Sequence, residues 1–161
     1  MKVRTILAVP LVLAACQSPE VVSICAARGD PAAQITAVLH DAGGRLAVLA
    51  SDTATGDIRI TEDAFKQPIL TRLWRVAEVT MRTLPDVDPS PCGFSTRVAV
   101  MVVFADGTRL YRQTSCTGNA LSRVNDAVFK AAETSTPAPA RAPLAMTLPL
   151  AGLAEACEAL E

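Results

Sequence analysis

Aromatic side chains are scarce: one tryptophan, one tyrosine and four phenylalanines in 161 residues. Half of the residues are apolar, but alanine is the commonest of them, and its methyl buries little area beside Leu or Phe. The core must therefore be modest. There is one histidine, no CxxC pair, and none of the GxSxG, HExxH, P-loop or GxGxxG patterns. Seryl hydrolase chemistry would have to take His40 as its base, with no serine marked out by context. Beside a turn signal, His40 reads instead as a surface histidine without a role. We accordingly expect no catalytic residues, no metal and no cofactor, and read the chain as non-enzymatic. An excess of positive charge is also missing, since 15 basic residues stand against 16 acidic ones and the isoelectric point is 5.8. A basic nucleic-acid-binding domain exceeds about 9, so no nucleic-acid partner is expected. The length suits one domain, and an apolar, charge-balanced composition is the opposite of the disordered signature.

What is present starts at the N-terminus. Lys2 and Arg4 precede the apolar stretch 5–15 (TILAVPLVLAA), which ends at Cys16. A spanning helix needs about 20 residues, so this stretch is too short. A basic region, a short apolar region and small residues before a cut form the pattern of an export signal. Leu13-Ala14-Ala15-Cys16 resembles the lipobox of bacterial lipoproteins, a likeness confined to about the first seventeen residues. The resemblance implies that the Cys16 thiol takes a diacylglycerol by thioether, that signal peptidase II cuts before it, and that the new amino group is acylated as well. Gln17 at the next position resembles the outer-membrane sorting signal. On this reading the partners are the membrane, through the N-terminal lipid, and an envelope protein, with the domain at the outer membrane facing the periplasm. Each buried methylene contributes about 0.8 kcal/mol, so two or three acyl chains hold where one is marginal. Loss of residues 1–15 leaves 146 residues with a net charge near -3.

Cys25, Cys92, Cys116 and Cys157 remain, an even number in a chain addressed to an oxidising compartment, where disulfides are the default. Four cysteines allow three pairings. We favour Cys92 with Cys116, bracketing a hairpin, and Cys25 with Cys157, tying the ends of the domain together. The first closes a loop of 25 residues, for which chain entropy gives about 3 kcal/mol. Zinc is the rival, but metal-ligand spacing is absent.

Along the chain, residues 16–30 read as a tether, extended near 21–25. Residues 33–40 admit strand or helix, and 45–50 read as a strand after the Asp41-Ala42-Gly43-Gly44 turn signal. Ile58 and Ile60 alternate as in a half-buried strand. Then Phe65, Ile69, Leu73, Val76, Ala77, Met81 and Leu84 recur at helical spacing. Thr61 or Asp63 would cap this helix and Pro85 ends it. Residues 97–104 are apolar at nearly every position, as in a strand buried on both faces. The Ala105-Asp106-Gly107 turn admits a two-residue or a three-residue loop. The choice decides which face Tyr111 and Arg112 occupy. A last amphipathic helix covers 119–133, and 134–143 (TSTPAPARAP) is a semi-rigid linker.

Three weaker signals remain. Ser51, Thr53, Thr55, Gly56, Ile58 and Glu62 fall at EF-hand loop positions, but hydroxyls replace the carboxylates calcium needs. Asp86 and Asp88 read as a solvated loop. Trp74 and Tyr111 read as core rather than as interface anchors, and Arg72, Arg75 and Arg82 as a solvated face, with anionic lipid or a carboxylate-bearing partner as the alternative.

The expected architecture is a two-layer α+β domain over 31–133. It has an antiparallel sheet of four or five strands and two helices, 63–84 and 119–133, on one face. It follows a signal peptide at 1–15 and the tether at 16–30, and precedes the linker and an Ala/Leu-rich tail at 144–161 with a short helix. The expected function is a lipid-anchored, non-catalytic binding module of the cell envelope. The alternative is a small lipid-anchored inhibitor of a protease or other envelope enzyme, inserting its Pro-rich loop 85–95.

Overall fold

The computed structural model describes residues 20–30, 34–52, 55, 57–64, 69–85, 92–93, 96–133, 144–146 and 152–161. The lipobox, Phe65, the 134–143 linker, and Asp86 and Asp88 lie outside them. Six antiparallel strands make the sheet: β1 (Val21–Asp30), β2 (Gln34–Asp41), β3 (Arg45–Asp52), β4 (Asp57–Ala64), β5 (Arg97–Phe104) and β6 (Arg109–Thr114). A three-residue seventh, β7 (Leu144–Met146), adds at one edge, giving the order β6-β5-β1-β2-β3-β4-β7. The helices are α1 (Ile69–Thr83), α2 (Ala120–Glu133) and α3 (Leu153–Glu158).

The domain is α+β, but with more strands than the four or five expected. The difference lies in the segment read as a tether. From Val21 it enters the sheet as β1, paired with β2 on one side and β5 on the other. Its sequence VVSICAA carries apolar residues on both faces, which suits an interior strand covered above and below. Ile24 and Ala26 are buried on one face, Cys25 and Ala27 on the other. Residues 34–41, left open between strand and helix, form β2.

Nor is the architecture two-layered. On the first face, α1 and α2 pack Leu73, Ala77, Met81, Leu121, Val124 and Val128 against Ile24, Val38, Val100, Val102 and Phe104. On the second face, α3 and the turn after it cover β1, β2 and β5 with Leu153, Ala156, Cys157 and Leu160. Ala99, Ala27 and Ala37 are register partners across three adjacent strands on that face, all fully buried. A floor of methyl groups lets a short helix sit close to the sheet, which is where part of the alanine-rich composition goes. Cys25 is joined to Cys157 across this contact, with their Cα atoms 5.8 Å apart.

Helix α1 starts at Ile69, later than the expected 63, because Thr61 and Asp63 are still in β4. Pro68 stands just before it in the sequence, and proline suits a helix start because its missing N–H would have no helical partner there. Val76, expected in the apolar stripe, is 49% exposed. Between β5 and β6 the loop has three residues: the Phe104 N–H donates to the Thr108 carbonyl, and Gly107 takes φ 83°. This places Arg112 opposite Val100 on the face of α1 and α2, and Tyr111 opposite Met101 on the face of α3.

One polar group fixes α2 on the sheet. Asn125 is fully buried, and its Nδ2 donates to the carbonyls of Ala27 (2.9 Å) and Ala99 (2.8 Å), one on each of two paired strands. We expect Asn125→Ala to lose about 1–3 kcal/mol, because two buried carbonyls each lose a donor. Asn125→Asp should lose more, since it turns a carboxylate toward two carbonyl oxygens. Urea unfolding measures both, and an aspartate variant as stable as wild type would contradict the assignment.

Candidate functional site

A cleft with largely apolar walls lies where α1 ends, β6 ends and α2 begins. Leu84, Pro85, Arg112, Gln113, Thr114, Asn119 and Leu121 line about 270 Å³. Its walls are set by local hydrogen bonding. The last carbonyls of a helix lack intrahelical donors, and just past α1 Arg112 supplies one, with Nε donating to Leu84 O at 3.2 Å. Arg112 Nη1 also donates to Tyr111 O at 2.8 Å, so the guanidinium is held as a fixed panel. Asn119 is the N-cap of α2, its Oδ1 accepting from the Ser122 N–H at 2.8 Å. Its Nδ2 donates to Thr114 Oγ1 at 3.1 Å, which also accepts from the Cys116 N–H at 3.0 Å.

This cleft adjoins the Pro-rich loop. Cys92 is bonded to Cys116, with Cα atoms 5.0 Å apart, and the Ser115 hydroxyl donates to the Cys92 carbonyl. Pro85 lines the cleft at the other end of the loop. Pro85 thus lines this depression, and Cys92 is tied through Cys116 to the lining Thr114. A second, more polar depression of about 340 Å³ lies among Gln34, Ala50, Ser51, Thr55, Asp57 and Arg59. Its buried Ser51 hydroxyl bonds both the N–H (3.3 Å) and the carbonyl (3.4 Å) of Ile35, which makes it structural.

His40 is not at the surface. It lies on β2 beneath α2 with no exposed area, and its Nε2 donates to Val128 O at 3.2 Å. Only the alternation of β2 puts it there: His40 shares a face with Val38, turned toward the two large helices. Burial pushes its pKa below the ordinary 6.5, against a smaller opposing effect of the Val128 hydrogen bond. Such an imidazole is a neutral core group, shut away from any substrate. Burial likewise raises the Tyr111 phenol, whereas the Thr108 N–H and hydroxyl hold exposed Asp106 low in its turn.

The remaining sequence candidates scatter. Ser51 and Ile58 are register partners across β3 and β4, and Glu62 pairs with Arg45 at 2.6 Å, so the calcium-loop positions form a hairpin instead of wrapping an ion. Thr53 and Gly56 lie outside the described residues. Among the described residues, no three His, Cys, Asp or Glu side chains are grouped to hold a metal. Trp74 packs against the core of the first face, and Tyr111 against that of the second. The sequence reading missed Arg112, Thr114 and Asn119 as one site, because Arg112 was tied to a turn whose register was open. Asn119 as the start of a helix was the available signal. No family model and no curated protein matches the chain. The geometry must therefore carry the functional reading.

His40 gives stability a pH dependence of definite sign. Its unfolded form takes a proton near 6.5 and the folded form at lower pH, so stability is full above 6.5 and falls as pH drops through the interval below it. We expect the denaturation midpoint of wild type to fall between pH 7.5 and 5.5. His40→Gln, which cannot titrate but can still donate to Val128, should flatten the curve there. Equal slopes for the two proteins would contradict a neutral buried imidazole.

Proposed function

We propose that the chain is a lipid-anchored lipoprotein of the cell envelope, held at Cys16 and facing the periplasm from the outer membrane. On this proposal its domain works by non-catalytic binding of an envelope protein. The anchor rests on Lys2, Arg4, the 5–15 stretch and Leu13-Ala14-Ala15-Cys16. The observation that carries the binding reading is the apolar cleft lined by Pro85 and tied, through Thr114 and Cys116, to Cys92. Clefts with apolar walls and a few fixed polar groups are what ligands and partner side chains fill. Here Arg112, Thr114 and Asn119 are already oriented by their neighbours, so little ordering entropy would oppose binding. That the one imidazole lies buried against Val128 supports binding over catalysis. No helix among the described residues is long and apolar enough to cross a membrane, so the attachment proposed is the lipid.

The fixed loop stem also supports the second reading, an inhibitor of a protease or other envelope enzyme. A rigid insertion element loses less freedom on binding than a flexible one, and the Cys92–Cys116 bond supplies that rigidity at its base.

Replacing Cys16 by Ser should move the protein from the membrane to the aqueous fraction, and unchanged fractionation would refute the anchor. Crosslinking in intact cells should capture an envelope protein with wild type and lose it with Pro85→Glu, which puts a charge at an exposed position of the cleft wall. Capture that survives Pro85→Glu would remove the cleft from the binding reading. Inhibition of an envelope enzyme that disappears with Cys92→Ala/Cys116→Ala would select the second reading.

A further inference from the structure

We propose that the outward face of α1 is a membrane-contacting surface, laid on an anionic phospholipid leaflet once the chain is tethered. The proposal rests on the lipid anchor at Cys16. Arg72, Arg75, Val76 and Val79 follow one another at helical spacing and share one stripe, opposite the buried Leu73, Ala77 and Met81. Val76 and Val79, 49% and 57% exposed, are the large apolar side chains left open to solvent among the described residues. Arg72 and Arg75 flank them and have no ion pair among the described residues. Arg82 is different: it pairs with Glu78 at 3.1 Å and lies over the Phe104 ring at 4.5 Å. The one acidic side chain described on α1 is thus already matched. Exposed valines bordered by unpaired arginines fit a headgroup region, where guanidinium groups meet phosphate while the apolar stems lie shallowly below.

The short run of chain between Cys16 and the sheet makes the contact geometrically available. From Cys16 to Glu20, whose carbonyl already accepts from the Ala105 N–H at 2.8 Å, there are four residue steps, a reach of at most about 14 Å. Helix α1 touches β1, β5 and β6, so it lies on one face of the sheet in contact with the strand that leads to the proposed anchor. Half the roughly 10 Å spacing of stacked layers plus one helix diameter of about 10–12 Å puts its outer surface about 15 Å from the sheet. The tether is comparable to that distance, so it keeps the domain at the bilayer surface and is too short to lift it well away.

Such a surface is too weak to recruit a free protein. Each arginine near an anionic surface is worth about fivefold in affinity, and two shallow valines add little. Tethering changes this, because a short linker holds the face at an effective concentration of about millimolar. The anchor supplies attachment and α1 supplies orientation, leaving the cleft between β6 and α2 to a partner.

The test uses the full lipidated chain with Val79→Cys carrying an environment-sensitive dye, reconstituted in phosphatidylcholine vesicles with and without phosphatidylglycerol. We expect a several-fold emission gain on the anionic vesicles alone, lost in high salt and in Arg72→Glu/Arg75→Glu, while every sample still floats with the vesicles. A dye signal that is the same on both vesicles, or that survives the double substitution, overturns the membrane face and leaves the anchor standing. A dye signal that changes only on crosslinking to an envelope protein overturns it in favour of a protein partner. Mass analysis reads the anchor separately: an unmodified Cys16 overturns the anchor and, with it, the reach argument.

Discussion

The bond between Cys25 and Cys157 holds together what the rest of the fold requires. A helix of six residues is far below the length at which helices persist alone, so α3 exists through its contacts. Those contacts cover Cys25, Ala27, Ile35, Ala37, Leu39, Ala99 and Met101, a surface that would otherwise face water. The cysteines are 132 positions apart, and for loops of that order chain entropy assigns a stabilisation of roughly 5 kcal/mol. Arg109 and Glu161 add an ion pair at 2.6 Å that brings the last residue to β6. Crosslink, short helix and alanine floor depend on one another. Small side chains permit the close approach, and the covalent bond compensates for the little area they bury.

The second disulfide acts locally. It closes the base of the Pro-rich loop next to a cleft whose polar walls are set by Arg112, Thr114 and Asn119. Function and stability are thereby separated in space: one crosslink secures the second face of the sheet, and the other frames the proposed binding end. Both need an oxidising compartment, so the proposed export and the observed fold make the same demand. His40, which sequence inspection places at a turn, instead fills the first core in its neutral form.

Much of this was legible from periodicity. The apolar run of β5, the helical stripe around Leu73, Ala77 and Met81, and the amphipathic helix over 119–133 each have a local signature, and the structure follows them. What was not legible depended on partners far away in sequence. Residues 21–30 look like the end of a tether because an interior strand carries no polar alternation, and nothing local announces that β2 and β5 will flank it. The third layer was hidden for a similar reason, since an Ala/Leu-rich tail reads as surface until a floor of alanines is assembled from β1, β2 and β5. Tyr111 and Arg112 waited on the single residue that separates two turn types. Of the cleft, the cysteine bracket was visible and the arginine was not.

The central claim is that a covalently held C-terminal helix completes the domain, and reduction tests it most directly. Unfolding of the protein should be followed in urea with and without reductant, alongside binding of a dye specific for exposed apolar surface. Reduction, or Cys157→Ser, should lower the unfolding midpoint strongly and expose apolar surface before global unfolding, as the face over Ala27 and Ala37 is uncovered. An unchanged midpoint with no dye binding would show that the sheet needs neither the crosslink nor the helix.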